Sequence, residues 1–325
     1  MTLITPDIAP DSGVGLSGQP GAGFGRQLML GQHRLHDQAM FDDAALSALL
    51  DRFPRQHLYA HSMGDDPERL GDNHRVAIDG IDGATLLQAV KRGRLWLNLT
   101  RIDRAEAAYR DLVSTLYAAL AAQIPGFVPD ASQGTLLISS PDALVYYHAD
   151  AHPSVLWHIR GRKRVWVYPA LDARYMAPEL LEDIFAGVRH EYLPYQPAYD
   201  RDAVIHDLEP GQWLAWPHNA PHRVSNLDGV NVSLSTEHFT AESRRRFRVQ
   251  VANRWLRTRL GCRRLSTRED GAVAWAKTLS QRVARKLGLD PVEIRLQQPS
   301  LRLVAQPAAG GPVLQALHGA GAALR

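Results

Sequence analysis

Residues 133–169 have the sequence QGTLLISSPDALVYYHADAHPSVLWHIRGRKRVWVYP, and this stretch decides the fold class. Short runs such as Ala143–Ala149 and Arg164–Tyr168 are rich in β-branched and aromatic residues, a composition typical of strands. A Ser-Pro-Asp sequence and Gly161 lie between such runs and predict turns. Successive short strands without helices between them favour an antiparallel sandwich or barrel.

The strand pattern continues to about residue 239. The predicted strands are Thr135–Ser139, Ala143–Ala149, Val155–Ile159, Arg164–Tyr168, Ala203–Leu208, Trp213–Trp216 and Gly229–Ser235. Asp228-Gly229 is a further turn signal. The exception is a segment at about 171–187, whose pattern predicts a helical insertion.

Helical patterns flank this β-rich region on both sides. Leu46, Leu49 and Leu50 fall on one helical face, as do Phe247, Val251 and Trp255, and this spacing predicts amphipathic helices. The expected division is a disordered Gly/Pro-rich start at 1–27, a helical region packed on the barrel at 28–130, the barrel at 131–240, an Arg-rich helical region at 241–300 and a flexible tail at 301–325.

The composition is that of a globular protein with a buried core. Apolar residues make up 45% of the 325 residues and charged residues 22%. No apolar run approaches the roughly 20 residues that cross a bilayer, and no secretory signal is visible at the start. The single cysteine, Cys262, excludes an internal disulfide framework and a cysteine-rich zinc site. We therefore expect a cytoplasmic protein with no membrane partner.

Ten arginines lie between Glu242 and Arg268, although the net charge of the chain is only +3. Such a run could contact nucleic acid or an acidic partner. A solvated helix face is the simpler interpretation, and we do not expect nucleic acid to be the partner.

His148 and Asp150 are the first residues whose pattern indicates chemistry. Residues two apart in a strand point to the same side of a sheet, so this imidazole and this carboxylate can converge on one cation. A third ligand from a neighbouring strand would complete a triad with open coordination positions, an arrangement that suits non-haem Fe(II) oxygenases. Because the chain holds 14 His and 34 acidic residues, chance alone could supply one such pair.

Residues 208–224, with the sequence LEPGQWLAWPHNAPHRV, provide the context for that pair. Here the chain resembles the cupin-like, JmjC-type 2-oxoglutarate oxygenases, whose second ligand strand has Pro-Gly-Asp, a short apolar strand, Pro, and the distal His five residues later. Pro217 and His222 have this spacing, so the resemblance implies His222 rather than His218 as the third ligand. Gln212 replaces the usual Asp, a departure that we expect to affect turn packing.

The resemblance implies a jelly-roll (double-stranded β-helix, cupin) barrel with a mainly β core, flanking N-terminal and C-terminal helices, and Fe(II) and 2-oxoglutarate as cofactors. Lys163 follows His148 by fifteen residues, as a Lys does in the asparaginyl-hydroxylase branch, where it pairs with the distal carboxylate of 2-oxoglutarate. A surface lysine in a basic turn is the alternative. Tyr146, Ser154 and Ser235 occupy positions near those that contact the cosubstrate in the family.

These features predict an Fe(II)- and 2-oxoglutarate-dependent dioxygenase, a hydroxylase of an amino-acid, peptide, protein or small-molecule substrate. His148, Asp150 and His222 are the expected metal ligands and catalytic residues. One alternative is a metal-dependent cupin enzyme that does not use 2-oxoglutarate, and another is a non-enzymatic binding protein with a basic helical arm. Related hydroxylases dimerise through C-terminal helices, so a homodimer is a further expectation from the resemblance.

Overall fold

The computed structural model describes residues 23–289, 298–304 and 312–317. The strands are β1 Met29–Gln32, β2 Leu58–Ser62, β3 His74–Ala77, β4 Leu95–Thr100, β5 Asp130–Ser139, β6 Leu144–His148, β7 Ser154–Val167, β8 Val204–Leu208, β9 Gln212–Ala215, β10 His222–Phe239, β11 Leu301–Val304 and β12 Val313–Ala316. The helices are α1 Asp43–Arg52, α2 Gly83–Arg92, α3 Ile102–Ala105, α4 Ala107–Gln123, α5 Pro178–Phe185, α6 Ala241–Leu260 and α7 Gly271–Lys286. Most predicted strands correspond to observed ones, and α5 occupies the predicted helical insertion.

The long strands β7 and β10 build the barrel because each takes part in two sheets. The second half of β7 pairs with β8 and with the first half of β10, which in turn pairs with β6. The first half of β7 pairs with β9 and with the second half of β10, which in turn pairs with β5. Two antiparallel sheets that share their central strands form a jelly-roll barrel, and the predicted fold class is confirmed.

Gly161 and Gly229 lie where the two long strands pass from one sheet to the other. Their φ angles are +75° and +61°, values that glycine adopts without a steric penalty. A Cβ on Gly161 would lie 2.5 Å from Nδ2 of Asn231. The pairing register shifts between Asp228 and Val232, so these residues form a bulged bend. The turns predicted here from sequence were therefore wrong, because β7 and β10 continue through both glycines.

The region at 28–130, for which we predicted mainly helices, also contains the four strands β1 to β4. β1 joins β9 at one edge, while β4, β2 and β3 extend the sheet beyond β5. α1, α2 and α4 contribute buried leucines to the core that covers this sheet. These strands have only four to six residues and give short patterns, and among them Leu95–Leu99 of β4 is the one whose sequence predicts a strand.

Ion pairs join α6 to the inserted helix α5. Arg254 pairs with Asp183 at 2.8 Å, and Arg257 pairs with Glu182 of α5 at 2.9 Å. Several arginines of the basic run therefore have acidic partners within the chain. A helix face in contact with solvent alone, the simpler interpretation of the sequence, does not describe these arginines. Among the described residues, no helix is long and apolar enough to cross a membrane.

Two outcomes concern the predicted ends of the chain. Leu301–Val304 pairs with β3 in parallel and with Val313–Ala316, so strands replace part of the predicted flexible tail. β11 adds to the edge of the sheet at β3 through backbone hydrogen bonds. The composition of these residues does not indicate such pairing. The predicted disordered start lies outside the described residues, except for 23–27.

Candidate metal centre

His148, the last residue of β6, points into the barrel because of a bulge in that strand. His222 pairs with His148 and Val224 pairs with Val145, so three residue steps on β6 oppose two on β10. The extra residue reverses the usual alternation. As a result, Val145 and His148 both line the interior, while Tyr146 lies outside it.

Three side chains meet at this end of the barrel. Nε2 of His148 lies 3.7 Å from Oδ1 of Asp150, and Nε2 of His222 lies 3.8 Å from Oδ2 of Asp150. One ligand atom from each residue falls within 4.8 Å of the others, and this is the only such group of three or more in the described ranges. The structure thus brings together the three residues that the sequence predicted as a triad.

Both imidazoles have the tautomer that a metal requires. Nδ1 of His148 donates to the carbonyl of Tyr146 at 2.8 Å, and Nδ1 of His222 donates to the carbonyl of Ala220 at 3.0 Å. Since a carbonyl only accepts, Nδ1 carries the proton in each ring and Nε2 keeps its lone pair. Burial lowers the pKa of each imidazole to about 4, so both are neutral at pH 7. Two neutral imidazoles and a carboxylate are a donor set for a divalent transition metal.

Lys163 faces the triad across a cavity of about 80 Å³. Only 5% of the residue is exposed, and burial lowers the pKa of its ammonium to about 7. Its side chain has no hydrogen bond or ion pair with any residue in the described ranges. A buried ammonium without a partner is unfavourable, so the cavity suits an anionic ligand that would pair with it. The alternative of a surface lysine is excluded by this burial.

The remaining walls of the cavity are mostly apolar. Leu156, Trp216 and Val224 supply much of this surface, and the ring of Trp216 lies 4.2 Å from that of His222 between centroids. Apolar walls limit water around the triad and strengthen the electrostatic attraction of a bound anion to Lys163.

A wider groove of about 360 Å³ opens beside the cavity. His148, Asp150 and Ser235 line both spaces, so the groove leads to the triad. Its outer part carries aromatic and ionisable side chains, namely Tyr59, His61, Arg75, Trp96, His190, Glu191, Tyr192 and Glu237. The groove is larger than the cavity that it adjoins.

The predicted cosubstrate contacts have different outcomes. Ser235 lines the cavity as expected. Tyr146 does not line it, because its hydroxyl accepts a hydrogen bond from the amide of Gly64 at 3.2 Å on the other side of the bulge. Ser154 lines neither space, and its hydroxyl donates to the carbonyl of His152 at 3.0 Å. The structure therefore places Tyr146 and Ser154 outside both the cavity and the groove.

Sequence reasoning missed Trp96, Ser139 and Asn226 as residues of the cavity. Asn226 pairs with Lys163 across β10 and β7, and its amide donates to Oγ of Ser139 at 2.8 Å. The pairing of Lys163 and Asn226 could have been found only with a strand register. Trp96 is on β4, in a region without any motif.

His218 is placed away from the ligand set. Its Nε2 donates to the carbonyl of Ala151 at 3.1 Å, and Arg246 lies 3.2 Å from its Nδ1. The choice of His222 over His218 as the triad member agrees with this geometry.

Comparisons with known proteins find similar structures only. No protein-family model and no curated protein matches the chain. An X-ray structure of E. coli ycfD is 14% identical over 81% of this chain and 65% of that one, with a TM-score of 0.47. A structure of YcfD, a ribosomal oxygenase from E. coli in complex with cobalt and 2-oxoglutarate, is 13% identical over 88% of this chain and 72% of that one, with a TM-score of 0.44.

An RmlC-like cupin from Shewanella frigidimarina is 16% identical over 34% of this chain and 68% of that one, with a TM-score of 0.22. The chain thus spans 65% of the length of the first of these YcfD structures, and 62% of the length of another crystal structure of the E. coli ribosomal oxygenase YcfD. At such identities and TM-scores, shared activity does not follow from shared architecture.

Proposed function

We propose that the protein is an Fe(II)- and 2-oxoglutarate-dependent dioxygenase that hydroxylates an amino-acid, peptide, protein or small-molecule substrate. The observation that supports this most strongly is that the triad and Lys163 line one cavity. A metal site alone fits many reactions. A buried, unpaired ammonium in the same cavity adds a requirement for an anion, and 2-oxoglutarate has a carboxylate at each end.

The donor set fits ferrous iron. His148, Asp150 and His222 would occupy one face of the ion and leave positions for a chelating cosubstrate and O2. When bound, iron and 2-oxoglutarate supply oxidative decarboxylation to succinate and CO2, coupled to oxidation of a substrate C–H bond.

The chain's own residues would bind the ion and the cosubstrate, orient them, and exclude water from the cavity. Nε2 of His148 and of His222 and the Asp150 carboxylate would hold the ion. Lys163 would pair with the far carboxylate of 2-oxoglutarate and so fix its direction in the cavity. The groove beside the triad would bring the substrate to the remaining open side.

Succinate formation from 2-oxoglutarate with Fe(II) under air tests the proposal, using panels of amino acids, peptides and small molecules as candidate substrates. We expect Lys163→Ala to raise the KM for 2-oxoglutarate. Arg162→Ala is the matched control, because Arg162 is the preceding basic residue of β7 and pairs with Glu209 at the surface. Equal KM values for both variants would contradict the role of Lys163.

The two alternatives give different results in the same assay. A cupin enzyme without 2-oxoglutarate would oxidise its substrate equally well when 2-oxoglutarate is omitted. A non-enzymatic binding protein would lack stoichiometric metal affinity and would show salt-dependent binding to DNA or to a partner.

We also propose a cytoplasmic homodimer. Trp275, Leu279 and Val283 of α7, and Leu287 directly after its last residue, recur every four residues and are each 41 to 67% exposed. Residues at this spacing share one helix face, and a second copy of α7 would bury them. A monomeric mass by light scattering would contradict this dimer.

A further inference from the structure

The turn between β9 and β10, residues 217–221, contacts both segments that carry the proposed ligands. The carbonyl of Ala220 in this turn accepts a hydrogen bond from Nδ1 of His222. On its other side, Nδ2 of Asn219 donates to the backbone carbonyl of Asp150 at 2.8 Å. The turn therefore connects the backbone of one proposed ligand to the imidazole of another.

Asn219 has an uncommon backbone conformation and an unpaired amide oxygen. Its φ is +63°, in the left-handed region, which non-glycine residues adopt uncommonly and which Asn adopts more readily than most. The residue is 1% exposed, and its Oδ1 is buried without a hydrogen-bond partner. Such features persist where the surrounding structure holds them, and they often occur at functional sites.

The surroundings restrict the turn from several directions. The amide of Ala220 donates to the carbonyl of Pro217 at 2.8 Å, which closes a tight turn. His218 donates to the carbonyl of Ala151, the residue after Asp150. The turn and the 150–151 segment are thus joined by two side chains from neighbouring positions, and the Asn219 amide is the one that contacts the proposed ligand residue itself.

We propose that Asn219 is a positioning residue that fixes the Asp150 carboxylate at its distance from His222 and so preorganises the metal centre. This inference rests on the proposed function, because it assumes that the triad binds a divalent metal. Hydrogen bonds that orient metal ligands commonly change metal affinity by about 10- to 100-fold.

Asn219→Gly is the informative variant, since glycine accepts a positive φ and deletes only the amide. Asn231→Ala is the matched control. Asn231 is also fully buried, also donates from Nδ2 to backbone carbonyls and also has an unpartnered Oδ1. Its hydrogen bonds go to Asp228 and Gly229 at the bend, so they do not involve the triad.

Co(II) affinity and the ligand-field absorption of bound Co(II) are the readouts, with urea unfolding of the metal-free protein measured in parallel. We expect Asn219→Gly to weaken Co(II) binding by about 10-fold or more and to alter the absorption spectrum. We expect Asn231→Ala to lower stability while its Co(II) affinity and spectrum match the wild type.

Wild-type affinity and spectrum in Asn219→Gly would overturn the positioning role and leave the proposed function intact. Equal losses of Co(II) affinity in Asn219→Gly and Asn231→Ala would also overturn it, because general loosening would then be the cause. A wild-type protein that binds no Co(II) would overturn this inference together with the proposed function.

Discussion

Replacing Lys163 with methionine is expected to stabilise the protein while it weakens 2-oxoglutarate binding. Burial lowers the pKa of the Lys163 ammonium from 10.5 to about 7. At about 1.4 kcal/mol per pKa unit, holding this ammonium charged in the protein interior costs up to about 5 kcal/mol. The cost applies in full below pH 7 and disappears as the pH rises towards 10.5, where the unfolded chain also loses the proton.

Methionine has a similar length and no charge, so Lys163→Met removes most of this cost. We expect the free energy of unfolding of the ligand-free protein at pH 7 to rise by about 3 kcal/mol, allowing for relaxation around the charge in the wild type. A charge-assisted hydrogen bond contributes about 1.5–3 kcal/mol, so the Kd for 2-oxoglutarate should rise by about 10- to 150-fold.

Lys277→Met is the matched comparison. Lys277 is also buried, at 7% exposure, but its ammonium donates to Oδ1 of Asn253 at 2.8 Å and to the carbonyl of Ser266. Removing it leaves the buried Oδ1 of Asn253 without this donor, which costs about 1–3 kcal/mol. The two lysine variants should therefore change stability in opposite directions.

Urea unfolding measures the stabilities, and calorimetric titration of the Co(II)-loaded protein with 2-oxoglutarate measures the affinity. The reasoning is refuted if Lys163→Met loses stability as Lys277→Met does. It is refuted equally if the affinity for 2-oxoglutarate is unchanged in Lys163→Met.

Two other predictions concern stability. Gly161→Ala should lower the free energy of unfolding by about 2–4 kcal/mol, because the backbone there is left-handed and the new Cβ would lie 2.5 Å from Nδ2 of Asn231. Gly187→Ala, at φ +71° in open space, should lower it less. Equal losses of the two variants in urea unfolding would contradict the bend at Gly161. Burial lowers the pKa of His33, His61 and His238 to about 4, so the unfolded chain binds more protons between pH 4 and 6.5. The stability that these three histidines contribute is complete above pH 6.5 and is lost as the pH falls towards 4, at up to about 3 kcal/mol each. A free energy of unfolding of the metal-free protein that stays constant over this pH range would contradict this prediction.

The sequence predicted the barrel and the triad for identifiable reasons. Alternating strands marked most of β5 to β10, and the spacing from Pro217 to His222 selected the histidine that lies beside His148 and Asp150. Tyr146 lies outside the cavity because the β6 bulge reverses the alternation, and a one-residue insertion leaves no clear trace in composition. The turn signals at Gly161 and Gly229 were real backbone features, but they bend continuous strands instead of ending them.

Other parts of the site depend on long-range pairing. Trp96 reaches the cavity because β4 pairs with β5, and the contact of Asn219 with Asp150 joins residues 69 positions apart. No local pattern encodes such contacts, since they follow from the order of strands in the sheet. The burial of Lys163 likewise depends on the barrel that closes around it.

Anaerobic titration of the protein with Fe(II) and 2-oxoglutarate tests the proposed iron centre most directly. A cosubstrate chelated to ferrous iron gives a weak visible charge-transfer band, which we expect to saturate at one equivalent of Fe(II) and to be absent in His148→Ala. No band in the wild type, or an unchanged band in His148→Ala, would contradict the assignment of His148, Asp150 and His222 as the ligands of the catalytic iron.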